Sequence, residues 1–301
     1  MLLSTLSFSS EHNLSIYNEQ VFYTLGLVAQ NPGQKYITFI NDIKYLSKLN
    51  ENVSVVITKP ELKDIIPKKY GIVVSENPTI TFFELQNYLS LNTDYIRKSE
   101  DTVIGKNCKI SSLASIAKEN VVIGNNVEIE DFVTIYPNTK IGDNVIIRSG
   151  SKIGGQGFEY KRCPDNTILT VKHYGGVVIE HDVDVHCNVC IDRAVYPWDN
   201  TVIGEYTKID NLVNIGHAVK IGKRNLITAS ACIGGRTEIG DDCWIGIGAI
   251  IKNAVSVKNK ATITMGSVLA NNVRENEEVS GFYAVRHEDF LMSQYKIRKL
   301  K

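Results

Sequence analysis

The sequence predicts a mainly β protein whose second half is a parallel β-helix built from six-residue repeats. Three observations support this fold class. Isoleucine recurs at every sixth position, a small or β-branched residue recurs four positions later, and glycine often follows the isoleucine directly. Six residues suffice for one short strand and one tight turn, and three such units close a triangular coil.

The isoleucine ladder is the strongest of these signals. It runs from Ile203 to Ile263 without a break, with Val257 as its one substitution. A period of six does not match the 3.6 residues of an α-helix, and an ordinary sandwich would alternate with a period of two. Stacked coils would bury the ladder as one continuous apolar column. Shorter runs of the same spacing lie upstream: 104–116, 123–153 and 179–191.

The other two positions of the repeat have physical reasons of their own. The small residue fits where the prism narrows, and Asn225 is the exception at this position. We expect the glycine after each isoleucine to relieve the backbone at the turn. Residues at the small position are Thr207, Val213, Val219, Ala231, Thr237, Cys243, Ala249 and Val255.

Three segments follow from where the period begins and ends. Residues 1–97 lack it and read as a small α/β domain, the β-helix spans 98–281, and 282–301 read as a short C-terminal helix. Two breaks interrupt the prism: a long loop at 154–178, and a stretch around Pro197, which falls where isoleucine is expected. In the first domain we expect strands at 36–40, 53–58 and 71–74 and helices at 42–49 and 80–91.

Composition excludes several classes. Lys+Arg and Asp+Glu are 33 each, without the basic excess of a nucleic-acid binder. No apolar run is long enough for a membrane span, and the N-terminus lacks a signal peptide pattern, so we expect a cytoplasmic protein. Cys187 and Cys190 form a lone C-x-x-C beside His186, which predicts buried reduced thiols rather than a metal site.

Four segments carry a resemblance to a known family. They are NLVNIGHAVKIG at 211–222, GQGFEY at 155–160, CIDRA at 190–194 and FINDIKYLSKL at 39–49. On these motifs the chain resembles the UDP-3-O-acylglucosamine N-acyltransferases of lipid A biosynthesis. The resemblance implies a left-handed coil, a homotrimer and transfer of an acyl group from an acyl-carrier-protein or CoA thioester to a nucleotide-linked amino sugar, with no other cofactor and no metal.

The resemblance points to two catalytic candidates, His217 and Gly235, and closeness in sequence to His217 adds Asp210 as a third. His217 corresponds to the family's general base, and a neutral imidazole can accept the proton of an attacking amine. Gly235 lies eighteen residues further on, so one full coil would stack it beside His217 and bring a backbone N–H near a developing oxyanion. Asp210 could orient the imidazole, with Asn211 beside it as a substrate contact, although both are also common turn residues.

The substrate candidates lie in the first domain and in the inserted loop. Phe39 and Tyr45 match the family's aromatic positions for the uracil ring, and Phe39 could equally be a core residue. Asp42 stands where the family has asparagine, which exchanges amide donors for an acceptor. Phe158, in the inserted loop, is a further candidate for substrate contact.

Departures from the family leave alternatives open. Ala254 stands where the family has a second histidine, the stretch around Pro197 and Trp198 is longer, and the C-terminal region is shorter. An alternative is therefore a short-chain acyl-CoA-dependent enzyme that acts on a UDP- or dTDP-amino sugar for O-antigen or another surface glycan. A second alternative is a non-catalytic or carbonic-anhydrase-like trimer using His181, His186 and His217.

Overall fold

The computed structural model describes residues 1–281 and 283–299, so the ends of the expected C-terminal segment, 282, 300 and 301, lie outside the described residues. A small first domain holds a five-stranded sheet in the order β1-β5-β4-β3-β2, in which β1 is antiparallel to β5 and the other pairs are parallel. Its strands are β1 (Ser15–Tyr17), β2 (Thr24–Leu25), β3 (Tyr36–Ile40), β4 (Val53–Thr58) and β5 (Gly71–Val74). Its helices are α1 (Ser7–Glu11), α2 (Pro78–Asn92) and 3₁₀ turns at Leu3–Thr5, Ile43–Lys48 and Pro60–Ile65.

The sequence locates β3, β4 and β5 at the observed positions, because each is a short apolar run between turn residues. It misses β1 and β2, which are only three and two residues long. The helix expected at 42–49 is a 3₁₀ helix capped by Asp42, whose carboxylate accepts from the Lys44 N–H at 3.0 Å. Helix α2 begins at Pro78, where a missing N–H costs nothing.

The second part of the chain is a three-faced prism of parallel strands. Face 1 contains β6 (Val103–Ile104), β9 (Val121–Ile123), β12 (Thr139–Ile141), β17 (Gly176–Ile179), β20 (Asn200–Ile203), β23 (Lys220–Ile221), β26 (Glu238–Ile239) and β29 (Ser256–Val257). Face 2 contains β7 (Lys109–Ile110), β10 (Glu128–Ile129), β13 (Ile146–Ile147), β18 (Asp184–Val185), β21 (Lys208–Ile209), β24 (Leu226–Ile227), β27 (Trp244–Ile245), β30 (Thr262–Ile263) and β32 (Glu278–Val279). Face 3 contains β8 (Ser115–Ile116), β11 (Thr134–Ile135), β14 (Lys152–Gly155), β19 (Cys190–Asp192), β22 (Asn214–Ile215), β25 (Cys232–Ile233), β28 (Ile250–Ile251) and β31 (Val268–Leu269).

The isoleucine ladder is the core of this prism. Each ladder residue pairs with the one a coil away, as Ile215 does with Ile191 and Ile233. From Ile123 to Ile263 the ladder residues are buried and form one continuous cluster. We call the turns between faces corner 1–2, corner 2–3 and corner 3–1, in chain order.

The glycines after the isoleucines serve a purpose other than the expected one. The left-handed backbone at the turns belongs to a residue two positions later, such as Leu212, Arg224 or Arg236. At most turns this residue is not glycine, although Gly150, Gly248 and Gly266 take the position at three of them. Instead, a Cβ on Gly204 would lie 2.4 Å from the carbonyl oxygen of Gly222 in the next coil. Glycine is needed because the stacked turns approach closely.

Asn225, the exception at the small position, is fully buried and fully bonded. Its amide nitrogen donates to the Gly240 carbonyl at 2.9 Å, and its Oδ1 accepts from the Cys243 N–H at 2.8 Å. A buried polar side chain is tolerated when its hydrogen bonds are made, as they are here.

The break expected at 154–178 is shorter and more ordered than a free loop. Its first residues finish β14 and its last belong to β17, and between them lies a hairpin of β15 (Tyr160–Arg162) and β16 (Ile168–Thr170). Helix α2 fastens this insertion, since Gln86 Nε2 donates to the Lys172 carbonyl at 2.8 Å and Asn87 Nδ2 to the Thr170 carbonyl at 2.8 Å. The first domain therefore holds the insertion against corner 3–1.

The second break, around Pro197, also lies at corner 3–1. Trp198 stacks on Tyr196, and its indole N–H donates to the Leu25 carbonyl at 2.8 Å. At the far end of the chain, the C-terminal helix α3 (His287–Lys299) is exposed along its described length. None of the described helices combines the length and the apolar character that a membrane span requires.

Candidate active site

His217 lies at corner 3–1, directly after β22 and Gly216. A side chain at a turn of a prism would ordinarily face solvent. His217 is instead only 4% exposed, because the insertion covers this corner. His217 is therefore not a solvated surface histidine.

Gly235 packs directly against the His217 ring. A Cβ added to Gly235 would lie 2.6 Å from Nε2 and 2.8 Å from Cε1 of His217, so no larger residue fits without moving the ring. The Gly235 N–H makes no hydrogen bond with any residue that the structure describes. Counting one coil of eighteen residues from His217 therefore leads to Gly235, which contacts the ring and has a backbone N–H that is free among the described residues.

The insertion closes the other side of His217. Gly157 fits between the His217 Cβ and the His173 ring, where a Cβ would lie 3.2 Å and 3.0 Å from them. The Gly157 N–H donates to His173 Nδ1 at 3.1 Å, so His173 is neutral with its proton on Nε2. The two imidazole rings meet edge to face, with centroids 5.2 Å apart.

Opposite charges meet beside the imidazole. Glu159, from the insertion, places Oε2 at 3.4 Å from His217 Nε2, and the Arg236 guanidinium donates to the same oxygen at 2.9 Å. Lys161 contacts the second carboxylate oxygen, Oε1. Burial alone would raise the pKa of Glu159, but the cations of Arg236 and Lys161 outweigh it and hold this pKa below its usual value.

Both histidines are neutral in this environment. Burial, followed by the cation of Arg236, lowers the pKa of His217 to about 3, and Glu159 opposes the shift. Burial lowers the pKa of His173 to about 4. Nearby, burial raises the pKa of Asp192 to about 6. A neutral imidazole has a lone pair available to accept a proton.

A groove of about 560 Å³ runs beside this cluster. One wall is corner 3–1, with Ala218, Arg236 and Ala254, and the start of face 1 beside it. The other wall is Trp198 and the first-domain segment around Gln30. Arg236 thus contacts the carboxylate beside His217 and also lines the groove. Ala254 adds a small apolar side chain to a wall that also carries Lys220 and Glu238.

Within one protomer, the structure does not bring Asp210 to His217. Asp210 lies at corner 2–3, where its Oδ1 accepts from the Asn211 N–H and side-chain amide at 2.7 and 2.8 Å. Asn211 Oδ1 in turn accepts from the Cys187 N–H at 3.1 Å. Both residues act here as turn-forming groups. The carboxylate beside His217 belongs to Glu159 instead.

The first-domain candidates are also separated. Phe39 packs on Phe82 and Phe83, with ring centroids 4.9 and 6.1 Å apart, in the cluster beneath α2. Tyr45 contacts a different cluster, on the other side of the sheet. Asp42 is engaged by Lys44, which holds the pKa of that carboxyl below its usual value. Phe39 is the one residue of β3 that is only partly buried, so its ring packs on the core and keeps part of its surface exposed.

Phe158 is 86% exposed at the start of the insertion hairpin, packed edge-on against Tyr160. Sequence reasoning missed Glu159, His173 and Arg236. A usable signal existed for two of them: Glu159 is the charged residue within GQGFEY, and Arg236 directly follows Gly235.

The three histidines of the metal-binding alternative lie at different corners. His181 is at corner 1–2, between Asp182 and Glu205 at 2.7 Å each, and His186 is at corner 2–3 near Asp184 and Asp210. Neither lies near His217 within the protomer. Among the described residues, no cluster of three or more His, Cys, Asp or Glu side chains has a geometry able to hold a metal ion.

Comparison with known proteins supports the fold and the family. Residues 120–155 match the bacterial transferase hexapeptide (six repeats) model. A crystal structure of a UDP-N-acetylglucosamine acyltransferase from Bacteroides fragilis aligns with a TM-score of 0.54 at 20% identity, over 66% of this chain and 75% of that one. The prism is accordingly a left-handed parallel β-helix.

Relatives in sequence are similar over most of their length. The UDP-3-O-acylglucosamine N-acyltransferase of Methylobacillus flagellatus is 32% identical, covering 91% of this chain and 84% of the relative. The enzymes of the same name from Coxiella burnetii and Helicobacter pylori are 32% and 29% identical, over 82% and 70% of this chain and 78% and 68% of their own. The chain is thus an acyltransferase that belongs to the UDP-3-O-acylglucosamine N-acyltransferase family.

Proposed function

We propose that this acyltransferase moves an acyl group from an acyl-carrier-protein thioester to the amino group of a UDP-linked, lipid A type glucosamine, with His217 as the general base. The observation that carries the proposal is the buried, neutral imidazole against Gly235 at the edge of a groove. We place this reaction in the cytoplasm.

The chemistry needs one base and one oxyanion donor. The amine nitrogen attacks the thioester carbonyl carbon and forms the new C–N bond while its proton passes to His217. The tetrahedral oxyanion can accept a hydrogen bond from the Gly235 N–H, which is free among the described residues. Collapse breaks the C–S bond, and the leaving thiolate takes the proton back from His217. A general base contributes about 10²–10⁴-fold to such a step.

The acceptor would be held from the first-domain side. Tyr45 is partly buried, and the ammonium groups of Lys44 and Lys48 lie 5.2 and 5.6 Å from its ring centroid, so exposed Phe158 offers the freer ring face for a flat base. Phe39, also partly buried, rests on Phe82 and Phe83 and would contact the base with the rest of its ring. Asp42 would supply a polar contact from the first domain, and Asp210 and Asn211 would do so from corner 2–3.

The donor would lie along the groove between face 1 and the first domain. The groove passes Ala218 and Ala254, whose small side chains leave room for a thioester arm. Acyl-CoA is the alternative donor, which carries the same thioester.

A homotrimer is part of the proposal. Corner 2–3 presents a row of exposed apolar side chains along the prism, which on a monomer would be an unusual surface. A trimer of about three times 33.6 kDa should be seen by light scattering, and a Leu212→Asp variant should shift it towards monomer. The exposed residues are Leu113, Phe132, Leu212, Ile247 and Met265.

The decisive experiment is a two-donor, two-acceptor assay. UDP-3-O-acylglucosamine and its N-acetylated analogue, which lacks the free amine, are each offered with acyl-carrier-protein and CoA thioesters, and the N-acylated product is followed by mass spectrometry. We expect product only from the free amine with the carrier thioester. Turnover of CoA esters alone would replace the proposed donor. No turnover of the free amine with either thioester would refute N-acyl transfer to this acceptor.

A further inference from the structure

His217 lies against an anion that is itself paired with a cation. The Glu159 carboxylate lies 3.4 Å from Nε2, and the Arg236 guanidinium lies 2.9 Å from that same carboxylate oxygen. Glu159 is only 8% exposed, so water screens neither charge well. A charge pair this close must affect how readily the imidazole takes up a proton.

Both charges are fixed by the fold. Glu159 follows Gly157, which is bonded to His173, and leads into the hairpin that α2 fastens. Arg236 occupies the left-handed turn position after Gly235, and its N–H donates to the His217 carbonyl at 2.8 Å. The anion arrives from the insertion and the cation from the next coil, so neither depends on the other for its backbone position.

The two charges have opposite effects on a base. When His217 takes the proton of the amine it becomes a cation, which the Glu159 carboxylate stabilises and the Arg236 guanidinium destabilises. Other charged or titratable groups at this site are Lys161, His173 and Asp192, and the nearest of them to Glu159 is Lys161.

We propose that Glu159 is a positioning residue that stabilises the protonated form of His217 during acyl transfer, and that Arg236 is the counter-charge that limits this effect. The inference rests on the proposed role of His217 as the general base. It predicts that removing Glu159 and removing Arg236 shift the pKa of His217 in opposite directions. If the ion pair were purely structural, removing either partner would lower the stability of the protein in the same way.

The test uses two charge-removing variants, their combination and a matched control. Glu159→Gln removes the anion and keeps the shape, and Arg236→Gln removes the cation and leaves a shorter polar side chain. Arg148→Gln is the control, because Arg148 makes a similar ion pair with Glu130 and Asp184 at 3.3 and 3.4 Å, at corner 2–3. The full-length protein is labelled with ¹³C at its histidines, of which there are six, and the signal of His217 is identified by its loss in His217→Gln.

We expect the pKa of His217 to rise by about one unit or more in Arg236→Gln and to fall in Glu159→Gln. In the acyl-transfer assay, Glu159→Gln should lower kcat about tenfold or more with KM within about twofold, and the double variant should recover part of that loss. Arg148→Gln should change neither quantity.

Shifts in the same direction, or no shift and no loss of kcat in Glu159→Gln, would overturn the inference. Additive losses in the double variant would do so as well, because they indicate a structural pair. If His217→Gln itself retains full activity, the proposal that His217 is the general base fails. That outcome differs from failure of the Glu159 inference, because it leaves Glu159 and Arg236 unchanged.

Discussion

Corner 1–2 and corner 3–1 have the same repeat geometry and opposite character. At corner 1–2, asparagine and aspartate side chains of one coil accept hydrogen bonds from the backbone of the preceding coil. Examples are Lys106 N–H to Asn125 at 2.9 Å, Asn125 N–H to Asp143 at 2.7 Å, Lys223 N–H to Asp241 at 2.8 Å and Asp241 N–H to Asn259 at 3.0 Å. At corner 3–1 the equivalent positions are His217, Gly235 and Asn253, and within the described chain no side chain accepts from their N–H groups.

The difference separates structure from chemistry within one fold. Where a polar ladder uses the turn N–H groups, the corner is a closed structural edge. At corner 3–1 the ladder is absent, the N–H groups of His217 and Gly235 stay free among the described residues, and both interruptions of the prism lie together. There a buried imidazole lies beside a groove that Arg236 lines. Free turn N–H groups alone do not mark the active site, because among the described residues Ala229, Ile247 and Met265 at corner 2–3 keep them as well. Corner 3–1 is distinguished by having them together with both interruptions and a buried imidazole.

The largest effect should come from His217→Ala at corner 3–1, with His181→Ala at corner 1–2 as its matched control. His181 and His217 both stand two residues after a ladder isoleucine, so they occupy the same repeat position. His217→Ala should lower kcat by about 10²–10⁴-fold, because the base is lost. His181→Ala should leave kcat within about twofold. Equal losses in both variants, measured on folded protein by circular dichroism, would contradict the contrast between the corners.

Gly235→Ala should have the next largest effect. Its Cβ would lie 2.6 Å from His217 Nε2, so the ring must move, and a displacement of this kind costs about 10²-fold in kcat. Gly155→Ala is the matched control at the same corner, since the nearest atom to its Cβ is Tyr136 Cε2 at 3.8 Å. A fully active Gly235→Ala enzyme would show that the close contact with the imidazole is unimportant.

At corner 1–2 the cost should be in stability instead. Asn225→Ala leaves the Gly240 carbonyl and the Cys243 N–H without their buried partner, which should cost about 1–3 kcal/mol in the free energy of unfolding. Chemical denaturation measures this loss, with Thr237→Ala at another small position as a comparison. The activity per folded molecule should be unchanged, and a large drop in kcat would mean that the two corners are coupled.

The smallest effect is a pH dependence of stability that originates at corner 3–1. His173 has a folded pKa of about 4, below the 6.5 of an unperturbed histidine. The unfolded chain therefore binds more protons below pH 6.5, and stability falls as pH decreases from there towards 4. Each unit of pH in this window costs at most about 1.4 kcal/mol for this residue.

His173→Gln should flatten that dependence relative to the wild type, as measured by denaturation at pH 6.5 and 5.5. The comparison is between variants because Asp192, whose folded pKa is raised to about 6, gains stability as pH falls and so acts in the opposite sense. His12, near Glu84 in the first domain, provides a control histidine. A His173→Gln profile parallel to that of the wild type would show that His173 is not buried as a neutral group.

The sequence predicts what is periodic and local. The isoleucine ladder indicates the faces of the prism, and counting eighteen residues from His217 leads to Gly235, because the stacking of coils translates sequence distance directly into contact. The Asp210 prediction depends on closeness in sequence to His217. In this fold, seven residues separate one corner from the next, so Asp210 lies at corner 2–3 and His217 at corner 3–1. Glu159 and His173 reach His217 through an insertion, whose path over the prism no repeat encodes.

The eighteen-residue coil also restricts how the length of this chain can change. Neighbouring coils are about 4.8 Å apart, so a gain or loss of eighteen residues shifts everything downstream by one such step and leaves each residue at its own corner. A gain or loss of six residues between His217 and Gly235 would carry the glycine to a different edge. The insertion avoids both outcomes: β12 pairs with β17 and β14 with β19 across it, so its residues add bulk outside the prism without advancing the count.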